Sequence, residues 1–77
     1  MIKFEVGKEY LVDWEIELGR FDDETICVAR TEDTVTFRYD DPYWKRTFFF
    51  TRPIILLDGR EVAMLHKKDG YVDADFY

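Results

Sequence analysis

The chain has no serine, one cysteine and one histidine among its 77 residues. Without serine there is no serine nucleophile, and Cys27 has no second cysteine with which to form an internal disulfide. One cysteine and one histidine also provide too few ligands for a structural zinc site. Cys27 and His66 form the sole Cys-His combination, and the strand pattern places them in different hairpins. We therefore predict no catalytic residues, no metal, no cofactor and no enzymatic activity.

Long apolar segments are also missing. No uncharged run exceeds five residues, whereas a membrane helix needs roughly 20 apolar residues. Glu5 and Glu9 interrupt the amino-terminal stretch, where a secretory signal would be continuously apolar. We therefore expect a cytoplasmic protein that does not engage a membrane.

The remaining composition indicates one small folded domain over residues 1–77. Hydrophobic residues make up 47% of the chain and aromatic residues 18%, which is more than disordered segments carry. A chain of this size buries roughly 60% of its extended surface on folding. It should therefore fold alone, but it has no surplus core for the large pocket of a small-molecule enzyme.

The net charge of −6 is unevenly distributed. Residues 1–28 carry −5, residues 29–68 carry +2, and residues 69–77 carry −3. The acidic total disfavours nonspecific nucleic-acid binding, because that affinity comes from Lys and Arg contacts to phosphates. The basic middle of the chain can still form a local basic surface.

Two Asp-Gly pairs, Asp58-Gly59 and Asp69-Gly70, give the clearest structural signal. Asp-Gly suits a type I′ turn, because both central residues need a positive φ. We therefore predict a meander of three strands at residues 47–57, 60–67 and 71–76.

Two-residue turns at these positions would fix the strand register. The predicted pairs are Ile55 with Val62, Leu56 with Glu61, Leu65 with Ala74, and His66 with Asp73. The last of these would be a polar pair on a solvated face. The predicted core face comprises Ile54, Ala63, Leu65, Ala74 and Phe76.

Alternation of apolar and polar residues predicts two further strand regions. Residues 25–39 form a hairpin around Glu32-Asp33, with a turn of more than two residues because glycine is absent. Residues 10–18 favour a strand, with a helix as the alternative. The acidic groups at 22–24 and 40–41 are interpreted as solvated turns between strands. In the hairpin, the predicted pairs are Val28 with Phe37, Ile26 with Tyr39, and Arg30 with Val35.

These elements predict an all-β fold. Five or six short antiparallel strands in one domain of this length indicate a single small barrel or rolled sheet of the SH3-like kind. An OB-like barrel is the alternative.

Residues 43–52, YWKRTFFFTR, concentrate aromatic and basic side chains. A strand places Phe48 and Phe50 on one face and Phe49 on the other. If Phe48 and Phe50 enter the core, Phe49 lies outside it near basic side chains, an arrangement with which small barrels clamp peptides or stack bases. The candidate binding residues are Arg38, Tyr43, Trp44, Lys45, Arg46 and Phe49.

Three functional hypotheses follow from this pattern. The first is a non-enzymatic binding module whose aromatic and basic surface contacts a protein partner, with a short nucleic acid as a partner that the net charge disfavours. The second is an acidic inhibitor or decoy that blocks a nucleic-acid-binding partner. Its surface would comprise Asp13, Glu15, Glu17, Asp22, Asp23 and Glu24. The third is a self-associating structural domain, in which a homodimer buries spare aromatics and strand edges.

Three motifs resemble small uncharacterised barrel proteins of bacterial and mobile-element genomes. They are Gly7-Lys8-Glu9-Tyr10, then Val28-Ala29-Arg30-Thr31 with Val35-Thr36-Phe37, and finally Asp58-Gly59-Arg60-Glu61. The similarity extends over most of the chain and implies an SH3-like fold and a bacterial or phage origin. It implies no catalytic residues and assigns no functional role to any position.

Overall fold

The computed structural model describes residues 1–16, 19–41, 43–66 and 70–75, with side chains for all of these except 14–16, 19–23 and 66. The described residues contain seven antiparallel strands and no helix, which confirms the all-β prediction but exceeds the expected five or six strands. The strands are β1 (Glu9–Ile16), β2 (Gly19–Arg30), β3 (Thr34–Asp41), β4 (Arg46–Pro53), β5 (Ile55–Leu57), β6 (Arg60–His66) and β7 (Gly70–Asp73).

The sheet has the strand order β4-β3-β2-β1-β7-β6-β5 and curls into a half-barrel. Its first and last strands, β4 and β5, are consecutive in the chain and are separated only by Ile54. The Ile54 N–H donates to the Asp33 carbonyl at 2.8 Å, and the Arg52 guanidinium donates to the Leu65 carbonyl at 3.1 and 3.3 Å. The strand predicted at 47–57 is therefore broken at Ile54, and its two parts lie at opposite ends of the sheet order.

The first Asp-Gly turn forms as predicted. Asp58 and Gly59 both have positive φ, 49° and 78°, as a type I′ turn requires. Leu57 pairs with Arg60 across this turn. The register predicted for this hairpin, with Ile55 opposite Val62 and Leu56 opposite Glu61, is confirmed.

The register predicted for the second Asp-Gly pair is wrong. Gly70 is the first residue of β7, where it pairs with both His66 and Trp14, and the preceding residues 67–69 lie outside the described residues. Val62 is opposite Asp73 and Ala63 is opposite Val72, with a register irregularity between Met64 and His66. The predicted pairs of Leu65 with Ala74 and His66 with Asp73 are therefore not formed.

The hairpin of β2 and β3 contains a β-bulge at Val28 that was not predicted. Cys27 is opposite Phe37 and Ile26 is opposite Arg38, so the pairs predicted for Val28 and Ile26 are wrong. One extra residue in β2 shifts the register, and Arg30 still pairs with Val35 as predicted. The bulge allows both Cys27 and Arg30 to share the inner face with their partners.

The turn between β2 and β3 has three residues, as the absence of glycine indicated. The Thr31 hydroxyl oxygen accepts hydrogen bonds from the N–H groups of Asp33 at 3.2 Å and Thr34 at 3.0 Å. The prediction of a longer turn around Glu32-Asp33 is therefore confirmed. The region predicted as a strand at 10–18 is also a strand in its described part, β1.

The core lies on the inner face of the curled sheet. Phe4, Tyr10 and Phe37 form an edge-to-face cluster with ring centroids 5.2 to 6.3 Å apart. The other buried members of the core cluster are Val12, Cys27, Val35, Ala63, Leu65, Val72 and Ala74. Three of the residues predicted for the core face are thus buried and Ile54 packs against them, whereas Phe76 lies outside the described residues.

Candidate binding surfaces

The six candidate binding residues lie on the β3–β4 hairpin. We call them the hairpin surface: Arg38, Tyr43, Trp44, Lys45, Arg46 and Phe49. The last strand pair of the hairpin is Asp41 with Arg46. Beyond it, Asp41 Oδ1 accepts hydrogen bonds from the N–H groups of Tyr43 at 2.8 Å and Trp44 at 3.1 Å. Lys45 has a positive φ of 53°, which returns the chain to β4.

The pleat of β4 divides its three phenylalanines as predicted. Phe48 and Phe50 are half-buried, and their rings stack with centroids 6.2 Å apart. Phe49 points to the outer face and lies directly opposite Arg38 on β3. The outer face of this hairpin therefore presents an aromatic ring beside a guanidinium group.

The rungs on either side of Phe49 are polar and ordered by side-chain hydrogen bonds. On one side, the hydroxyls of Thr36 and Thr51 are 2.9 Å apart. On the other side, the Thr47 hydroxyl donates to Asp40 Oδ1 at 2.7 Å. Arg38 forms a 3.3 Å ion pair with Asp40. These contacts position Arg38 and frame the exposed Phe49 ring.

The tip of the hairpin carries two further aromatic side chains. The exposed fractions of Tyr43, Trp44 and Phe49 are 81%, 68% and 65%. The rings of Tyr43 and Trp44 meet edge to face at 5.1 Å. Phe49 lies three positions after Arg46, or about 10 Å along a strand, so the hairpin surface is elongated.

The charge of the hairpin surface is locally basic. Asp40 is engaged by Thr47 and Arg38, and Asp41 accepts the N–H groups of the tip. Among the described residues, the exposed side chains of Lys45 and Arg46 have no ion-pair partner. Two basic side chains therefore remain available beside the aromatic rings.

The alternative acidic surface is not continuous at Asp13. Asp13 is only 5% exposed and lies opposite Asp22 and Tyr71, so it does not belong to an exposed acidic patch. Residues 22–24 form part of the long strand β2 and are not the solvated turn that was predicted. Glu24 is exposed. Glu17 lies outside the described residues, as do the side chains of Glu15, Asp22 and Asp23.

The residues considered for catalysis lie on different strands, Cys27 on β2 and His66 on β6. Asp73 does not face His66, and its carboxylate instead accepts a 2.6 Å hydrogen bond from Arg60 Nε. That bond raises the pKa of the Arg60 guanidinium. Cys27 is fully buried, and burial raises the pKa of its thiol. Because the thiolate is the reactive form, Cys27 behaves as a small core residue.

A partly buried ion pair at the edge of the core was not predicted from the sequence. Arg30 donates two hydrogen bonds to the Glu61 carboxylate, at 2.6 and 2.9 Å. Phe4 N–H also donates to Glu61 at 2.7 Å, and its carbonyl accepts from Arg30 at 2.8 Å. Burial alone would raise the pKa of Glu61, but the hydrogen bonds from Arg30 and Phe4 outweigh it and lower the pKa.

This ion pair holds the amino-terminal segment, residues 1–5, against the start of β6. Ile2 N–H donates to the Gly59 carbonyl and Glu61 N–H donates to the Ile2 carbonyl, both at 2.9 Å. Arg30 and Glu61 are 31 positions apart, and no local pattern connects them. The predicted pair of Arg30 with Val35 places Arg30 on the apolar face of its hairpin, but it does not bring Glu61 to that face.

The ion pair forms the floor of an open groove of about 830 Å³. We call this groove the seam. Its walls are the amino-terminal segment, the 31–33 turn, and Ile54 with Leu56 of β5. The lining residues are Met1, Lys3, Phe4, Glu5, Arg30, Thr31, Glu32, Asp33, Ile54, Leu56 and Glu61.

Scans against protein-family models, curated proteins and solved structures gave no significant match. The resemblance to small SH3-like barrel proteins therefore stays a prediction. In the part of the chain that the structure describes, no helix is long and apolar enough to cross a membrane. The same residues contain no group of three or more His, Cys, Asp or Glu side chains arranged to hold a metal ion.

Proposed function

We propose that this chain is a non-enzymatic binding module that contacts a protein partner through the hairpin surface. The observation that carries the proposal is the exposure of Tyr43, Trp44 and Phe49, each about two thirds or more exposed, on a single hairpin. Aromatic residues and arginine contribute most of the binding free energy in protein interfaces. The hairpin surface combines both.

The local order of the hairpin supports a preorganised surface. Asp41 fixes the backbone of the tip, and the Thr36–Thr51 and Thr47–Asp40 hydrogen bonds lie on either side of Phe49. The backbone that carries these aromatic rings is therefore already ordered before a partner binds, which lowers the ordering cost of association. Lys45 and Arg46 favour a partner that presents carboxylates next to an apolar pocket.

The proposed setting is the cytoplasm, where the single cysteine would stay reduced. A protein partner is preferred to a nucleic acid, because the net charge of −6 opposes phosphate binding at most of the surface. Aromatic and basic side chains together also suit single-stranded nucleic acid, and the experiment below separates the two partners.

The test captures partners from extracts of the source cell on immobilised protein, with and without nuclease, and then measures affinity for the purified partner by calorimetry. The informative variants are Trp44→Ser and Phe49→Ser. Val6→Ser is the matched control, because Val6 is a comparably exposed apolar residue, 59% exposed, outside the hairpin.

We expect Trp44→Ser to weaken the complex by about 30-fold, as for a hot-spot residue, while Val6→Ser binds like the wild type. Equal capture by Trp44→Ser, Phe49→Ser and the wild type would refute the proposal. Capture that disappears with nuclease treatment would identify nucleic acid as the partner. Capture that survives both substitutions but is lost on Glu24→Gln would favour the acidic surface.

A further inference from the structure

The seam has a free strand edge that the hairpin surface does not use. β5 is the last strand in the sheet order, and β6 is its sole strand neighbour among the described residues. Leu56, at the centre of β5, is 62% exposed and lines the seam. An unpaired edge of this kind is a template for a further strand.

The main-chain groups of Leu56 are not used in the ladder with β6. Its cross-strand partner Glu61 uses its own N–H and carbonyl on the opposite side of β6, bonding to Ile2 and Ala74 at 2.9 Å. In an antiparallel pair, opposite residues direct their main-chain groups either toward each other or away from each other. Leu56 N–H and C=O are therefore directed away from β6.

Two residues before Leu56, at Ile54, the main chain already forms a hydrogen bond on the same side. Ile54 N–H donates to the Asp33 carbonyl at 2.8 Å, which fixes one end of the seam. Beyond Ile54, Leu56 and the 31–33 turn both line the groove. An extended segment could enter at this point and continue the ladder that Ile54 begins.

The chemistry of the walls restricts which segment fits. Met1, Ile54 and Leu56 supply apolar surface. On the rim, Glu32 and Asp33 are exposed, and Glu5 is exposed apart from a 3.7 Å pair with Lys8. Arg30 is committed to Glu61 and Phe4, so Lys3 is the cation left among the lining residues. The rim is therefore net negative.

We propose that the seam is a second binding site, which takes an extended peptide segment of another protein with aliphatic side chains alternating with Lys or Arg. The segment pairs with the free main-chain groups of Leu56 and places its aliphatic side chains on Ile54 and Leu56. Its basic side chains face Glu32 and Asp33. This site is independent of the hairpin surface and does not depend on the function proposed for it.

The experiment titrates the full-length ¹⁵N-labelled chain with a capped eight-residue peptide of alternating lysine and valine, followed by amide chemical shifts. We expect saturating shifts at Ile54, Leu56 and Asp33. A peptide with glutamate in place of lysine, and another with serine in place of valine, should each bind about tenfold more weakly, because one loses the charge complementarity and the other the apolar contact.

Leu56→Pro tests the strand pairing directly. Proline removes the N–H that faces away from β6 and leaves the ladder between β5 and β6 intact, as at a strand edge. We expect Leu56→Pro to weaken peptide binding by about tenfold, whereas Leu56→Val, which keeps the N–H, should bind within about twofold of the wild type. If Leu56→Pro loses spectral dispersion, Glu32→Lys replaces it, with an expected loss of about fivefold. Glu9→Lys is its control with the same change of charge at another exposed position.

Several results would overturn the proposal. These are the absence of saturation at about 1 mM peptide, shifts confined to the tip around Trp44, and equal binding of the acidic peptide. Undiminished binding by a folded Leu56→Pro variant would also overturn it. If light scattering shows a dimer and the broadening of amide NMR signals centres on Leu56, the seam is assigned to a second copy of the chain.

Discussion

Replacing Glu61 with alanine would leave the Arg30 guanidinium largely buried without its carboxylate. The substitution removes two hydrogen bonds to Arg30 and the acceptor for Phe4 N–H. Removing one partner of a buried ion pair costs about 3–5 kcal/mol, and the lower end applies here because the Arg30 side chain is 19% exposed at the groove. Small domains have free energies of unfolding of roughly 5–15 kcal/mol. We therefore expect Glu61→Ala to remove a large fraction of the stability of this domain.

Urea unfolding followed by tryptophan fluorescence and circular dichroism measures this effect. With a slope of about 1 kcal/mol per molar urea for so small a domain, a loss of 3 kcal/mol lowers the midpoint by about 3 M. Glu32→Ala is the control, because Glu32 is exposed in the adjacent turn and should change stability by about 0.5 kcal/mol or less. A cost of less than about 1 kcal/mol for Glu61→Ala would refute the role given to the ion pair.

The same ion pair makes a pH-dependent contribution. The pKa of Glu61 is lowered in the folded protein, whereas an unfolded glutamate has a pKa of about 4.3. The contribution of Glu61 is therefore complete above about pH 4.3 and is lost as the pH falls through the lower folded value. The free energy of unfolding should fall more steeply below this pH in the wild type than in Glu61→Gln. Identical slopes would contradict this reasoning.

Two further predictions concern the first Asp-Gly turn and the buried thiol. Gly59→Ala should lower the free energy of unfolding by about 1–2 kcal/mol, measured by urea unfolding. Gly59 has a φ of +78° and an added Cβ would meet nothing within 4 Å, so the cost comes from the backbone alone. Asp58→Gly is the tolerated control, and an unchanged midpoint for Gly59→Ala would contradict the type I′ assignment. Iodoacetamide should alkylate Cys27 at least about 100-fold more slowly in the folded protein than in urea, because burial both blocks the thiol and raises its pKa. Equal rates would show that the thiol is accessible.

The two Asp-Gly pairs show how far local sequence determines register. Asp58-Gly59 forms the predicted turn, and the hairpin that it closes has the predicted register. Among the described residues β5 has one neighbouring strand, so turn geometry alone sets its pairing. β7 pairs with both β1 and β6, and its register must satisfy both ladders. The position of Gly70 within β7 was therefore not accessible from the Asp69-Gly70 pair alone.

Alternation predicted side-chain placement well where the pleat is regular. It placed Phe49 on the opposite face from Phe48 and Phe50, and in the structure Phe49 is exposed while the other two are half-buried. It failed in β2, where a bulge at Val28 adds one residue and turns Cys27 inward. An inserted residue leaves no mark in the apolar pattern, because Ile26, Val28 and Cys27 are all compatible with burial.

The exposed aromatics of the hairpin and the Arg30–Glu61 ion pair both bear on which aromatic rings form the core. Tyr43, Trp44 and Phe49 count toward the hydrophobic content of the chain but are largely exposed and do not belong to the core cluster. Phe4, from an amino-terminal segment that carries no strand pattern, is instead one of the largest buried side chains. Its main-chain N–H and carbonyl are both held by the Arg30–Glu61 pair. The core cluster therefore includes an aromatic ring from outside the seven-stranded sheet, held in place by an ion pair whose members are far apart in sequence. Stability should accordingly be more sensitive to Glu61 than to any residue of the hairpin surface, so partner binding and folding can be perturbed separately.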